Sequence, residues 1–224
     1  MTPHGGLVQH EENLWSVDGM VPGAPFHRRM VIARRSDGKL LFFHAIPLEE
    51  PLMAQVQALG QPAFLVVGNH QHAIDADAFA KRLGLSVYGP KRCEAGLRAR
   101  CDIAGFLEDV PADPAVAVES MPGSKLGEAV LTVRSGEAVS IGFSDAIQNN
   151  PPAELNFAFR LLGFAGGPKT PLVYRVLFLE DKKAMHAAFE KMAALPGLKR
   201  LIPCHGDLVE DSAAEKLRAA AVAL

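Results

Sequence analysis

Cysteine is scarce in this chain: Cys93, Cys101 and Cys204 are the only three among 224 residues, and no two form a C-x-x-C pair. An odd count at wide spacing excludes a disulfide framework and fits a reducing compartment. Long apolar runs are missing as well. Nothing approaches the roughly 18 consecutive apolar residues of a membrane span, and the opening segment MTPHGGLVQHEENLW has neither the cationic nor the apolar stretch of a secretory signal. A cytoplasmic protein without membrane contact is the expectation. Charge of one sign is also absent, with 23 Lys plus Arg against 25 Asp plus Glu and a net charge of −2. Nucleic acid is therefore not an expected partner. A Gly-rich phosphate loop and a G-x-S-x-G nucleophile elbow are both lacking.

What is present is the composition of a folded globule, 49% hydrophobic and 21% charged. A chain of this length buries enough surface for one large core, so a single domain over residues 1–224 is expected. Residues 27–44 read as a hairpin closed at Ser36-Asp37-Gly38-Lys39, because an apolar run flanks an Asp-Gly turn on each side. Leu52, Met53, Val56 and Leu59 recur at helical spacing before Gly60, and AFLVV after Pro62 reads as a strand buried on both faces. Asp75 opens a second helix that stops at Gly84, and residues 90–113 read as a short helix plus loop. AVAVES, EAVLTVRS and EAVSIGFS are strands of a second sheet segment, 181–195 and 211–224 helices, and 198–202 a last strand. The apolar, irregular stretch 146–179 has the character of a segment that covers a site.

The residues that carry chemistry lie at the ends of strands. AFLVV runs into GNHQHAID, where His70 and His72 at i and i+2 point the same way if the backbone stays extended, and Asp75 begins the next helix. SIGFSDAIQ delivers Asp145, and LKRLIPCHGD delivers His205. Imidazole and carboxylate are the ligands of zinc and related ions. Cys204 is a soft donor beside His205, although a small buried residue explains it as well. His44, at the end of LLFFH, lines the same edge or serves as a hydrogen-bonded loop histidine.

In this order the residues resemble the metallo-β-lactamase fold superfamily, with its H-x-H-x-D-H motif after a strand, a later P-G-H segment, an Asp after a strand and a last H-G pair. The resemblance runs over nearly the whole chain, and the segments NLWSVDG and RRMVIARRSDGKLLFFHAIPL are most similar to a poorly characterised branch. It implies a four-layer αββα sandwich, with residues 13–120 and 128–224 as its two halves. It also implies a metal centre of His70, His72, Asp145 and His205 at one edge, with Asp75 substituting for the motif carboxylate. Two positions depart from the pattern: Ile74 stands where the motif Asp falls, and Ser124 where the P-G-H histidine falls. Such a set implies one zinc ion, or iron as the alternative, or a vestigial site without metal.

The function so implied is a metal-dependent hydrolase acting on an ester, lactone, amide or thioester of a small molecule, with Asp75 or Asp145 orienting the attacking water. The alternative is a non-catalytic member that binds a small molecule or a partner.

Overall fold

The computed structural model describes residues 4–23 and 26–224. The first sheet begins as an antiparallel meander of β1 (Val8–Glu11), β2 (Leu14–Met20), β3 (His27–Arg34) and β4 (Lys39–Phe43). It continues in parallel: α1 (Glu50–Gln57) returns the chain to β5 (Gln61–Val66), α2 (Ala76–Leu83) to β6 (Ser86–Gly89), and α3 (Glu94–Arg98) to β7 (Gly105–Phe106). A parallel pair needs such a crossover, and a helix supplies it.

β8 (Val116–Ser120), β9 (Ala129–Ser135) and β10 (Ala138–Phe143) form the second sheet by antiparallel pairing. Next come β11 (Gln148–Asn150), α4 (Phe157–Leu161), β12 (Gly166–Lys169), α5 (Leu172–Leu177) and α6 (Lys182–Ala193). β13 (Leu198–Pro203) then pairs parallel with β10, and α7 (Ala213–Val222) closes the described chain. The boundary between the halves differs from the expected one. β8 lies in the second sheet, so residues 116–120 belong to the C-terminal half, because their apolar side chains pack between the sheets beside β9.

Alternation along the strands builds the layers. In β3 and β4, Met30, Ile32, Leu40 and Phe42 face α1 and α2, whereas Val31, Ala33, Leu41 and Phe43 face the second sheet. In β5 Leu65 points outward and Phe64 and Val66 inward, so this strand is buried on both faces, as its unbroken apolar run predicts. β10 sends Val139, Ile141 and Phe143 outward against α6 and α7, with Met185, Phe189 and Leu217. Three apolar layers thus separate helices, sheet, sheet and helices: the αββα sandwich. No helix among the described residues is long and apolar enough to cross a membrane.

Two parallel pairings position the site. Because β4 and β5 run the same way in one sheet, and β10 and β13 in the other, their C-terminal ends deliver His44, Asn69 to His72, Asp145, and Cys204 with His205 to one edge.

Candidate metal centre

Asp145 is the hub. His72 Nε2 lies 3.0 Å from its Oδ2 and His205 Nε2 3.4 Å from its Oδ1. Asn69 Nδ2 donates to Oδ2 at 2.8 Å and Gln148 Nε2 to Oδ1 at 3.2 Å. Behind them, Glu128 Oε2 accepts the Asp145 backbone N–H at 3.1 Å. His72, Asp145 and His205 each offer one donor atom, all within 4.8 Å of one another. His44, His72 and Cys204 do the same, with Cys204 Sγ 3.6 Å from His72 Nδ1. The rings of His44 and His72 stand 4.4 Å apart, centre to centre.

The structure does not bring two of the expected ligands into this cluster. After β5 the backbone does not stay extended: residues 70–72 form a 3-10 turn, capped by Asn69 Oδ1 on the Gln71 N–H at 2.9 Å. With three residues per turn, side chains at i and i+2 diverge instead of sharing a face. His72 enters the cluster, while His70 turns to Cys93 Sγ at 3.5 Å and packs against Gly96. Asp75 also lies outside. It precedes α2, its side chain makes no cap hydrogen bond, and its Oδ2 sits 2.5 Å from the Arg28 guanidinium, which is almost wholly buried. Ser124 is buried one carboxyl away: Tyr174 Oη bridges Ser124 Oγ at 2.8 Å and Glu128 Oε1 at 3.0 Å. Ile74 is on the pocket wall, about half exposed.

Reasoning from the sequence alone missed Asn69 and Glu128, and left His44 undecided. Asn69 is a residue type that caps turns, and its place before H-x-H is the signal that breaks the strand. Glu128 offers none, since only the fold buries it completely beside Asp145.

Electrostatics follow from this crowding. Burial opposes charge on His72, yet the Asp145 carboxylate and a Cys204 thiolate hold its pKa well above the ordinary value. Against burial, His72 and His205 hold Asp145 well below the carboxylate range. Burial likewise works against a Cys204 thiolate, but His44, His72 and His205 lower its pKa well below that of an ordinary thiol. His44 itself is held below the usual imidazole value by burial. Glu128 is pushed up to about 8 by burial and by Asp145.

The donor set suits a divalent ion. His205 Nδ1 lies 2.7 Å from the His27 carbonyl, which only accepts, so Nδ1 carries the proton. Nε2 faces the Asp145 carboxylate at 3.4 Å, a relation satisfied either by a second ring proton, which burial opposes and Cys204 and Asp145 favour, or by a metal ion on the lone pair of the neutral ring. A backbone carbonyl fixing the distal nitrogen is the usual support of a metal-bound histidine.

The cluster forms one wall of a cavity of about 210 Å³, lined also by Val21, Phe26, Ile46, Ile74 and Phe164. From the 146–179 stretch, Gln148 and Phe164 reach the cavity, and Phe159 and Phe164 pack on Phe26, edge-on and tilted, with ring centres 4.5 and 5.2 Å away. Arg28 and Arg29 lie in the same wall, each paired with a carboxylate, Asp75 and Asp18.

No family model and no curated protein matches the chain. Solved structures do. The chain is similar to the DIM-1 metallo-β-lactamase exposed to ceftazidime, at 11% identity and a TM-score of 0.67 over 100% of this chain and 99% of that one. It is similar to a metallo-β-lactamase from Pontibacter korlensis, at 11% identity and 0.64 over 97% and 99%, and to VMB-1, at 11% and 0.63 over 100% and 98%. With three apolar layers, two large facing sheets and agreement over the full length of these structures, the protein has the metallo-β-lactamase fold.

Proposed function

We propose that the protein is a mononuclear metal-dependent hydrolase of a small ester, lactone, amide or thioester, with His72, Asp145 and His205 as ligands of one zinc or ferrous ion. The observation that carries this reading is the convergence of their three donor atoms within 4.8 Å at the wall of an apolar cavity. A catalytic ion bound by three protein groups keeps an open position and acidifies the water held there toward neutrality.

The chain's own groups do the rest. Asn69 and Gln148 hold the Asp145 carboxylate in one orientation. His27 fixes the His205 tautomer. Val21, Phe26, Ile46 and Phe164 exclude water from the reacting carbonyl and favour an acyl or aromatic group over a sugar or nucleotide. The cavity is smaller than the ~300 Å³ lower bound for drug-sized ligands, which suits a small substrate or the reacting end of a longer one. Asp75, bound to Arg28, belongs to the wall and not to the ligand set in this reading.

A second reading has one observation in its favour. Asp145 takes four contacts from side chains of its own chain, so the cluster is satisfied by protons alone, as a metal-free binding protein requires. Hydrolysis of a panel of small esters, lactones and thioesters decides between them. Turnover that disappears on chelation and returns with zinc or ferrous ion supports the hydrolase. Ligand binding without turnover, in a protein that takes up neither zinc nor ferrous ion, supports the second reading.

A further inference from the structure

On the far side of the His72 ring from Asp145 lies a second group of donors. We propose that His44, His72 and Cys204 form a separate seat for a soft ion such as zinc or cuprous copper, competing with the pocket-side set for His72.

His44 is the main observation. It is 4% exposed; one ring nitrogen, Nε2, faces Ser144 Oγ at 3.4 Å, and the other, Nδ1, is buried with no hydrogen-bond partner among the described residues. Buried polar atoms are nearly always paired, and a donor atom of this ring lies within 4.8 Å of those of His72 and Cys204, so the unpaired nitrogen belongs to a cluster that can hold an ion. The backbone of His44 is also held in the left-handed region, at φ 67, which a residue with a Cβ adopts at a cost. Gly68 gives it room: a Cβ there would stand 2.5 Å from His44 Cε1 and 1.8 Å from Ser144 Oγ.

Distances agree with ligation. Zinc holds sulfur at about 2.3 Å and imidazole nitrogen at about 2.05 Å, so at a tetrahedral angle the two donors stand about 3.6 Å apart. Cys204 Sγ and His72 Nδ1 are 3.6 Å apart. A thiolate among the ligands selects thiophilic ions over oxygen-seeking ones. Both His44 and Cys204 line the cavity, which gives the ion a way in.

His72 makes the two seats exclusive. A neutral imidazole has one lone pair. When Nδ1 binds the ion, Nε2–H donates to Asp145 at 3.0 Å, the carboxylate support a ligating histidine normally has. The pocket-side set needs the opposite tautomer. The thiolate seat shares His72 with that set and does not otherwise depend on it.

Cobalt(II) titration of the full chain tests this, because thiolate ligation gives a sulfur-to-cobalt charge-transfer band in the near ultraviolet. The band is expected in the wild type and in His205→Ala, and is expected to vanish in Cys204→Ser, which keeps Cys93 and Cys101. His44→Asn tolerates the left-handed backbone and removes the ring; it is expected to lose the band or at least tenfold in cobalt affinity, and it decides the matter should Cys204→Ser fail to fold. Visible cobalt absorption with no near-ultraviolet band, abolished by His205→Ala, would leave the pocket-side set standing and overturn the thiolate seat. A band unchanged in Cys204→Ser, or no cobalt binding at all, would overturn it too.

Discussion

Glu128→Gln is expected to make the metal-free protein more stable, by an amount that depends on pH. Glu128 is completely buried, and burial with the neighbouring Asp145 raises its pKa from 4.5 to about 8. Folding therefore takes up a proton at any pH between those values. A group whose folded pKa is raised in this way contributes its stability in full below 4.5 and loses it as pH rises through 8. At about 1.4 kcal/mol per unit, the cost of keeping Glu128 reaches roughly 3 kcal/mol at pH 7 and roughly 5 kcal/mol above pH 8. A glutamine needs no proton. Its amide nitrogen takes the place of Oε1 facing Tyr174 Oη, and its oxygen the place of Oε2, which accepts the Asp145 N–H. Urea unfolding of both proteins in chelator, from pH 4 to 9, is the assay; chelator matters because an ion would add its own charge to the balance. The two stabilities should converge near pH 4 and separate steadily to pH 8. A difference that stays constant across this range would show that Glu128 is ionised in the folded protein, and the reasoning would fail.

Three further substitutions test the geometry around the cluster. Tyr174→Phe removes a hydroxyl that serves both Ser124 and Glu128, so it should cost about 1–3 kcal/mol of unfolding free energy, with neutral cost or gain as the contrary result. Gly68→Ala places a methyl against Ser144 and His44; a loss of about 1–3 kcal/mol together with weakened cobalt binding is expected, and a fully functional variant would mean that the backbone yields there at little cost. Asp75→Asn should leave metal content unchanged while removing the charge that balances nearly buried Arg28. Urea unfolding should register about 1–3 kcal/mol, less than a fully buried pair would give because Asp75 keeps some solvent contact.

The layered architecture was legible because it rests on alternation. β3, β4 and β5 each carry two apolar faces, the Asp-Gly turn at 37–38 falls where the chain reverses, and Gly84 is the left-handed cap of α2, whereas α1 ends at Gln57, before Gly60. The place of β8 was legible in part: AVAVES continues into EAVLTVRS and EAVSIGFS, the sheet it joins, whereas a division into halves at residue 120 puts it on the wrong side. His72, Asp145 and His205 were found by their place after strands, and the parallel pairings bring those strand ends together. His70 was misplaced for a local reason: the two-residue spacing has the expected meaning only in extended backbone, and Asn69 caps a 3-10 turn instead. His44 looked like an ordinary strand-end histidine because its decisive properties, a positive φ and an orphaned nitrogen, exist only in three dimensions.

Both proposed donor sets pass through one imidazole, so under this proposal the chain would hold one ion at a time and would need His72 to hold it. Elemental analysis of purified, extensively dialysed protein tests this most directly. One equivalent of zinc or iron is expected in the wild type, one in His70→Ala, whose ring turns to Cys93, and none in His72→Ala. Two equivalents per chain, metal-free wild type, or loss of metal in His70→Ala with retention in His72→Ala would contradict it.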